Sequence, residues 1–371
     1  MTKERRYDLD WLRVIVFGLL IFYHVGMLFV PWGFHIKNNE TSDWFLLPML
    51  FLNQWRLPLL FLISGMGTRF ALSYRSQSQF LKERTKRLLL PLIVGMIVII
   101  APQVYVERLV NSEFSGSYFQ FWPKEYFQGI YPEGNLSWHH LWFLPYLLVF
   151  SVVSAPLFIY LRDHPNAALL RGLRAQLRRP FGLFIFVIPL YFVEAFIEPF
   201  FPVTHALIGD WFALVYYYLF YLFGFEMISE QDDLWPALER HRINAVWIGI
   251  ICFVGMVIMW QLPDTTLRHF TEAFLKITNV WAWIFVLLAF AAKYLNRPGP
   301  VLHYCNTAVY PFYIFHQTVM MIAAYFMIHA DLHILLKFLL LSVITFLGSW
   351  ILYELVRRSR FLRPLFGLKN A

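Results

Sequence analysis

The stretch "DLDWLRVIVFGLLIFYH", residues 8–24, decides the fold. From Trp11 it continues as an almost unbroken apolar run to residue 31, about the 20 residues needed to cross roughly 30 Å of hydrocarbon. Yet it carries Arg13 near its beginning and His24 well inside. Both are costly to expose to lipid, so a helix here must turn them toward protein or water. Eleven residues of α-helix advance by about 1100°, which leaves only about 20° after three turns, so the two share a face. They are also about 16 Å apart along the axis at 1.5 Å per residue. That separation rules out direct contact along the helix. It suits a ligand lying along it, with an anionic head at one membrane rim and a reacting group near mid-membrane. Imidazole exchanges a proton near neutral pH, which makes His24 a candidate general base. The plainer reading is a histidine that hydrogen-bonds a neighbouring helix.

Working outward, the same pattern recurs. Of the 371 residues, 59% are hydrophobic, 20% aromatic and 15% charged, well below the charged fraction of soluble domains. Apolar stretches lie near 11–31, 45–66, 88–104, 141–161, 182–201, 211–228, 245–262, 274–292, 308–328 and 334–356. The expected fold is therefore all-α, a polytopic membrane protein of about ten transmembrane helices with both termini cytoplasmic. Cytoplasmic loops accumulate Lys and Arg. With the N-terminus inside, 24 of the 31 basic residues fall on the inner side and four (Lys37, Arg108, Lys124 and Arg268) on the outer. The net charge of +8 then reflects topology and anionic lipid, and no nucleic-acid partner is expected. Residues 11–31 are too long for a signal-peptide core and lack a small-residue cleavage site, so the first span is expected to persist. The two cysteines, Cys252 and Cys305, show no metal or disulfide spacing.

No repeat of 20–50 residues stands out, and a single integral membrane domain over 1–371 is the simplest organisation. Two segments between spans are long. The basic stretch 162–180 has helical spacing between prolines and is expected to lie on lipid headgroups. The aromatic stretch 105–140 reads equally as an interfacial belt or as a carbohydrate-facing lid.

Further chemistry-bearing residues sit in or beside the spans. Arg84 and Arg87, three apart in "FLKERTKRLLLPL", project from one helix face and could grip phosphate in a way lysine cannot. The competing reading is that an inner loop simply collects arginines. Arg56 lies at membrane depth in "WRLPLLFLISGMGTRFAL" and is expected to line a polar cavity. Glu194 is offered either as a structural partner of Arg56 or as a functional carboxylate, and His316 stands in "VYPFYIFHQTVM". His139 and His140 in "LSWHHLWFLPYLL" mark the outer mouth of the fourth span, where an acceptor would arrive; adjacent histidines on a helix point different ways, so one at most faces a cavity. None of the 12 histidines makes an H-E-x-x-H or similar zinc spacing, so no metal is expected, and no G-x-S-x-G elbow is present.

Taken in order, Arg13-x10-His24, "FLISGMG", Arg84-x-x-Arg87 with "LLLPL", "HLWFL" and "VYPFYIFHQ" resemble the acyltransferase 3 family of bacterial integral membrane proteins, most closely its glucan biosynthesis protein C-like branch. The resemblance implies transfer of an acetyl- or succinyl-type group from cytoplasmic acyl-CoA, a donor substrate rather than a resident cofactor, to a hydroxyl of an extracytoplasmic glycan. It implies a multi-pass protein of the bacterial inner (cytoplasmic) membrane. By position, His24 resembles the family's essential intramembrane histidine, and Arg13, Arg84 and Arg87 its acyl-CoA-handling arginines. Arg56 or His316 is expected to stabilise the oxyanion, with Glu194 lining the same cavity. The family's accessory extracytoplasmic hydrolase-like domain has no counterpart in this sequence, so the acyl group is expected to be transferred here or handed to a separate extracytoplasmic partner. Direct transfer and a transient acyl group on His24 stay open. The rival from another class is a proton-coupled multi-span transporter in which His24, Arg56 and Glu194 form a relay.

Overall fold

A computed structural model of the chain describes residues 5–369. The described residues are almost entirely helical and contain no strand beyond one isolated bridge, Ile130 to Leu136. The helices are α1 (Tyr7–Gly26), α2 (Leu46–Leu72), α3 (Gln77–Val94), α4 (Ala101–Val110), α5 (Tyr118–Lys124), α6 (Phe143–Asp163) and α7 (Ala168–Leu177). They continue as α8 (Val187–Phe196), α9 (Trp211–Ser229), α10 (Gln231–Met259), α11 (Thr266–Tyr294), α12 (Pro300–Met327), α13 (Ile334–Arg358) and the short α14 (Leu362–Leu365). In hydrocarbon each backbone N–H must be satisfied within its own segment, and the apolar runs accordingly fold as helices.

Among the described residues, 8 helical stretches are long and apolar enough to cross a membrane. They account for eight of the ten expected spans, and the chain is an all-α polytopic membrane protein. The expected span 182–201 is a shorter apolar helix, Gly182–Phe196. It stops before Pro199 and Pro202, because a residue preceding proline is pushed out of the helical region. The expected span 308–328 overlaps α12, 28 residues long, which ends one residue earlier at Met327. There His303, Asn306, His316, Gln317 and Thr318 dilute the apolar character.

The chain divides into two compact units: Met1–Arg13, Asn53–Arg84 and Tyr146–Leu302 form one, and Val14–Leu52, Thr85–Pro145 and His303–Ala371 the other. In the first, α2 and α9 approach closely through two glycines. A Cβ on Gly65 would overlap the Tyr221 carbonyl, and one on Gly224 the Leu62 carbonyl. Small residues are what allow such backbone proximity between membrane helices. Thr68, fully buried one turn along, bonds the Tyr221 hydroxyl at 2.8 Å.

The second unit packs Ile21 and Val25 of α1, with Phe29 in the turn after it, against Met320, Met321 and Ala324 of α12, Val106 of α4 and Leu341 of α13. Its most unusual element is a π-helical turn, Gly95–Ile100, joining α3 to α4. Pro102 has no N–H to continue the ladder, and π turns leave carbonyls that need other donors. Three side chains supply them: Tyr126 to Met96 O at 2.5 Å, Trp122 to Ile97 O at 2.9 Å and Thr318 to Ile99 O at 2.7 Å. Gly95 itself accommodates the Leu141 side chain, which a Cβ would displace.

Candidate active site

Within the second unit three histidines distant in sequence meet. His24, in the last turn of α1, places Nδ1 2.7 Å from Nε2 of His316 on α12. The two rings stack with centroids 4.9 Å apart and planes 18° from parallel. His140, in the 3-10 turn His139–Trp142 that leads into α6, stands edge-on to His316 at 5.0 Å. His316 and His140 are buried.

Backbone carbonyls fix the tautomers. His316 Nδ1 lies 2.8 Å from Tyr313 O and 3.2 Å from Phe312 O, so it carries the proton and donates. Its Nε2 is then an acceptor, and Nδ1–H of His24 donates to it. The basic lone pair of neutral His24 is left on Nε2. An imidazole whose Nδ1–H is held by an acceptor is oriented, and the positive charge it gains on taking a proton is stabilised.

The same logic makes His140 neutral and donor through Nε2, which faces Tyr313 O and Ile314 O at 3.1 Å each. Tyr313 closes the clamp by donating its hydroxyl to His140 O at 2.6 Å. Gln103, one residue beyond Pro102, faces His140 Nδ1 at 3.4 Å, donates to Thr318 at 2.6 Å and accepts from Gln317 at 3.2 Å. Gln103, Gln317 and Thr318 were not singled out by sequence reading. An amide in an apolar helix next to a proline was the available signal.

The remaining sequence candidates fall elsewhere. His139 does not join this group; its Nδ1 lies 3.1 Å from Nε2 of His35, whose Nδ1 faces Glu107 at 2.8 Å. Tyr131 donates to the other Glu107 oxygen at 2.9 Å, and burial together with that carboxylate raises the phenol well above its usual value. Arg13 shares the unbroken α1 with His24 and lies 3.3 Å from Asp10. Arg84 donates to Thr68 at 2.8 Å and lies over the Phe80 ring at 5.4 Å, while Arg87 is exposed three residues along α3. Arg56 is buried on α2. Glu194 is ion-paired to Lys276, so the pairing with Arg56 offered from the sequence is corrected: Lys276 on α11 is the cation that α8 meets.

Apolar helices of membrane-crossing length, with an oriented imidazole among buried polar side chains, define an integral membrane protein. The acyltransferase domain family, Acyl_transf_3, matches residues 6–354. The chain belongs to this family and is a multi-pass membrane acyltransferase. It is similar to glucans biosynthesis protein C of Salmonella agona (strain SL483), Salmonella paratyphi A (strain ATCC 9150 / SARB42) and Salmonella dublin. Each is 21% identical over 382 residues, with 100% of this chain and 96% of the relative covered. No solved structure matches the chain.

Proposed function

We propose that the protein transfers an acetyl- or succinyl-type group from cytoplasmic acyl-CoA to a hydroxyl of an extracytoplasmic glycan, from the bacterial inner membrane. The observation that carries this reading is the His24–His316 pair at 2.7 Å with its carbonyl-fixed tautomers. His24 Nε2 takes the proton of the acceptor hydroxyl as its oxygen attacks the thioester carbonyl carbon. Collapse of the tetrahedral adduct breaks the C–S bond, and the imidazolium returns the proton to the departing thiolate. His316 is assigned the role of positioning His24. Both its nitrogens are already engaged, with His24 and with backbone carbonyls, so His316 is not assigned the oxyanion. Glu194, tied to Lys276, is given a structural role.

Arg13, Arg84 and Arg87 are proposed to receive the diphosphate of the CoA head. The rise of about 16 Å between Arg13 and His24 on α1 is comparable with an extended pantetheine arm. The relatives' name, glucans biosynthesis protein C, supports a glucan as the acceptor class. Mass spectrometry of envelope glycans from cells with and without the gene tests the reading. An acyl mass increment present only with the intact gene is expected; identical glycans from both strains refute it.

A further inference from the structure

His139 lies in a second polar cluster that the acyl-transfer chemistry does not use. We propose that His35, His139 and Glu107 form a binding site for a divalent cation of the zinc class. The inference is independent of the acceptor and donor assigned above.

The three residues come from separate parts of the second unit: the segment after α1, the last turns of α4, and the 3-10 turn before α6. One ligand atom from each, the two imidazoles and the carboxylate, lies within 4.8 Å of the others. The two histidines present His35 Nε2 and His139 Nδ1 to one another at 3.1 Å. Their ring centroids are only 4.2 Å apart with planes at 78°, so the rings meet at an angle rather than end to end. Two nitrogens bound to one tetrahedral zinc at 2.0–2.1 Å stand about 3.3 Å apart, close to what is found here.

The surroundings resemble a prepared outer shell. Glu107 Oε2 holds His35 Nδ1 at 2.8 Å, the carboxylate–histidine arrangement that orients metal-binding imidazoles. Its other oxygen is fixed by the Tyr131 hydroxyl at 2.9 Å. Arg108 braces the loop bearing Tyr131, donating to Pro132 O and Gly134 O at 2.8 Å each and to Asn135 at 2.9 Å. Lys37, the nearby ammonium, is turned onto Met27 O and Val30 O. Glu107 is the anionic member of the cluster, and the Arg108 guanidinium lies over the Tyr131 ring at 5.7 Å. Nε2 of His139 is buried and has no hydrogen-bond partner. A cavity of about 560 Å³, lined by His35, Lys37, Glu107, Asn111 and Tyr131, opens beside the cluster as an entry path.

On binding, the proton that His139 Nδ1 directs at His35 moves to Nε2 of His139, and both facing nitrogens present lone pairs. Glu107 stays on His35 Nδ1 as the outer-shell acceptor that fixes this ring, and solvent from the adjoining cavity completes the coordination. The ion would tie the segment after α1 to α4 and to the turn carrying His140. Sequence spacing gave no sign of it because the ligands stand at 35, 107 and 139.

The test is zinc titration of the purified, tag-free protein in detergent, followed by calorimetry and thermal unfolding. One equivalent of zinc is expected to bind and raise the unfolding midpoint, with affinity reduced at least tenfold in His35→Ala, His139→Ala and Glu107→Gln. X-ray absorption on the zinc-loaded wild type needs no variant and should show two imidazole ligands in the inner shell. Absence of saturable zinc binding, undiminished binding by the His35→Ala/His139→Ala double variant, or an inner shell without imidazole would each overturn the site.

Discussion

A single histidine in a membrane helix is chemically ambiguous, and the neighbours of His24 resolve which nitrogen it offers. The carbonyls of Phe312 and Tyr313 set the proton on His316, which sets it on His24. Removing His316 therefore frees the His24 ring to adopt either tautomer. His316→Ala is expected to lower turnover on the order of 10²-fold while leaving the KM for acyl-CoA within a few-fold, and His316→Gln, which retains an acceptor, to recover part of the loss. Steady-state release of free CoA measures both; an equal loss in both variants through KM alone contradicts the positioning role. The sequence exposed His24 and His316 individually, since ionisable groups inside apolar runs stand out. It did not expose their contact, because 292 positions separate them and no periodicity reports on pairing between helices. His35 and Glu107 went unremarked for a related reason. They lie where polar residues are ordinary, and only the fold brings them to His139.

At the scale of elements, the helices were legible because hydrocarbon demands them, and the irregularities were less so. Pro102 announces a disturbed ladder, but that the disturbance is a π turn served by Tyr126, Trp122 and Thr318 depends on residues far along the chain. The close approach of α2 and α9 gives a sharp prediction. Gly65→Leu should destabilise the protein by at least about 1–3 kcal/mol, because the added Cβ overlaps a backbone carbonyl that cannot yield. Gly18→Ala, which meets nothing within 4 Å, serves as the control with stability unchanged or slightly raised, since alanine suits a helix interior better than glycine. Thermal unfolding in detergent compares them. The connection before α9 predicts a pH effect. Burial pushes His205 down to about 4, below the ordinary histidine value of 6.5. The unfolded loop therefore binds the proton more readily than the folded one. Stability is fully present above pH 6.5 and declines as the pH falls toward 4, and His205→Gln should flatten that decline. Unfolding midpoints at pH 7.5 and 5.0 reveal the difference; a midpoint that rises on acidification contradicts it.

For the molecule as a whole, we propose the topology that the skew of basic residues supports, with both termini on the cytoplasmic side and the aromatic stretch 105–140 outside. Single cysteines introduced on a background with Cys252 and Cys305 replaced by serine test this. A cysteine at Glu133, exposed in that stretch, should react with an impermeant maleimide in spheroplasts, and one at Arg360, exposed after α13, should react only after lysis. The reverse pattern would invert the assignment of donor and acceptor sides. The central claim is that His24 drives acyl transfer from CoA to a glycan hydroxyl, and a reconstituted reaction tests it most directly. Protein in nanodiscs is supplied with acetyl-CoA or succinyl-CoA and a soluble glucan, and free thiol and acceptor mass are followed together. The account predicts that the wild type yields one acylated hydroxyl for each CoA released, and that a folded His24→Asn protein yields neither above background. Equal acylation by His24→Asn, or a wild type that releases no CoA with either donor, would contradict it.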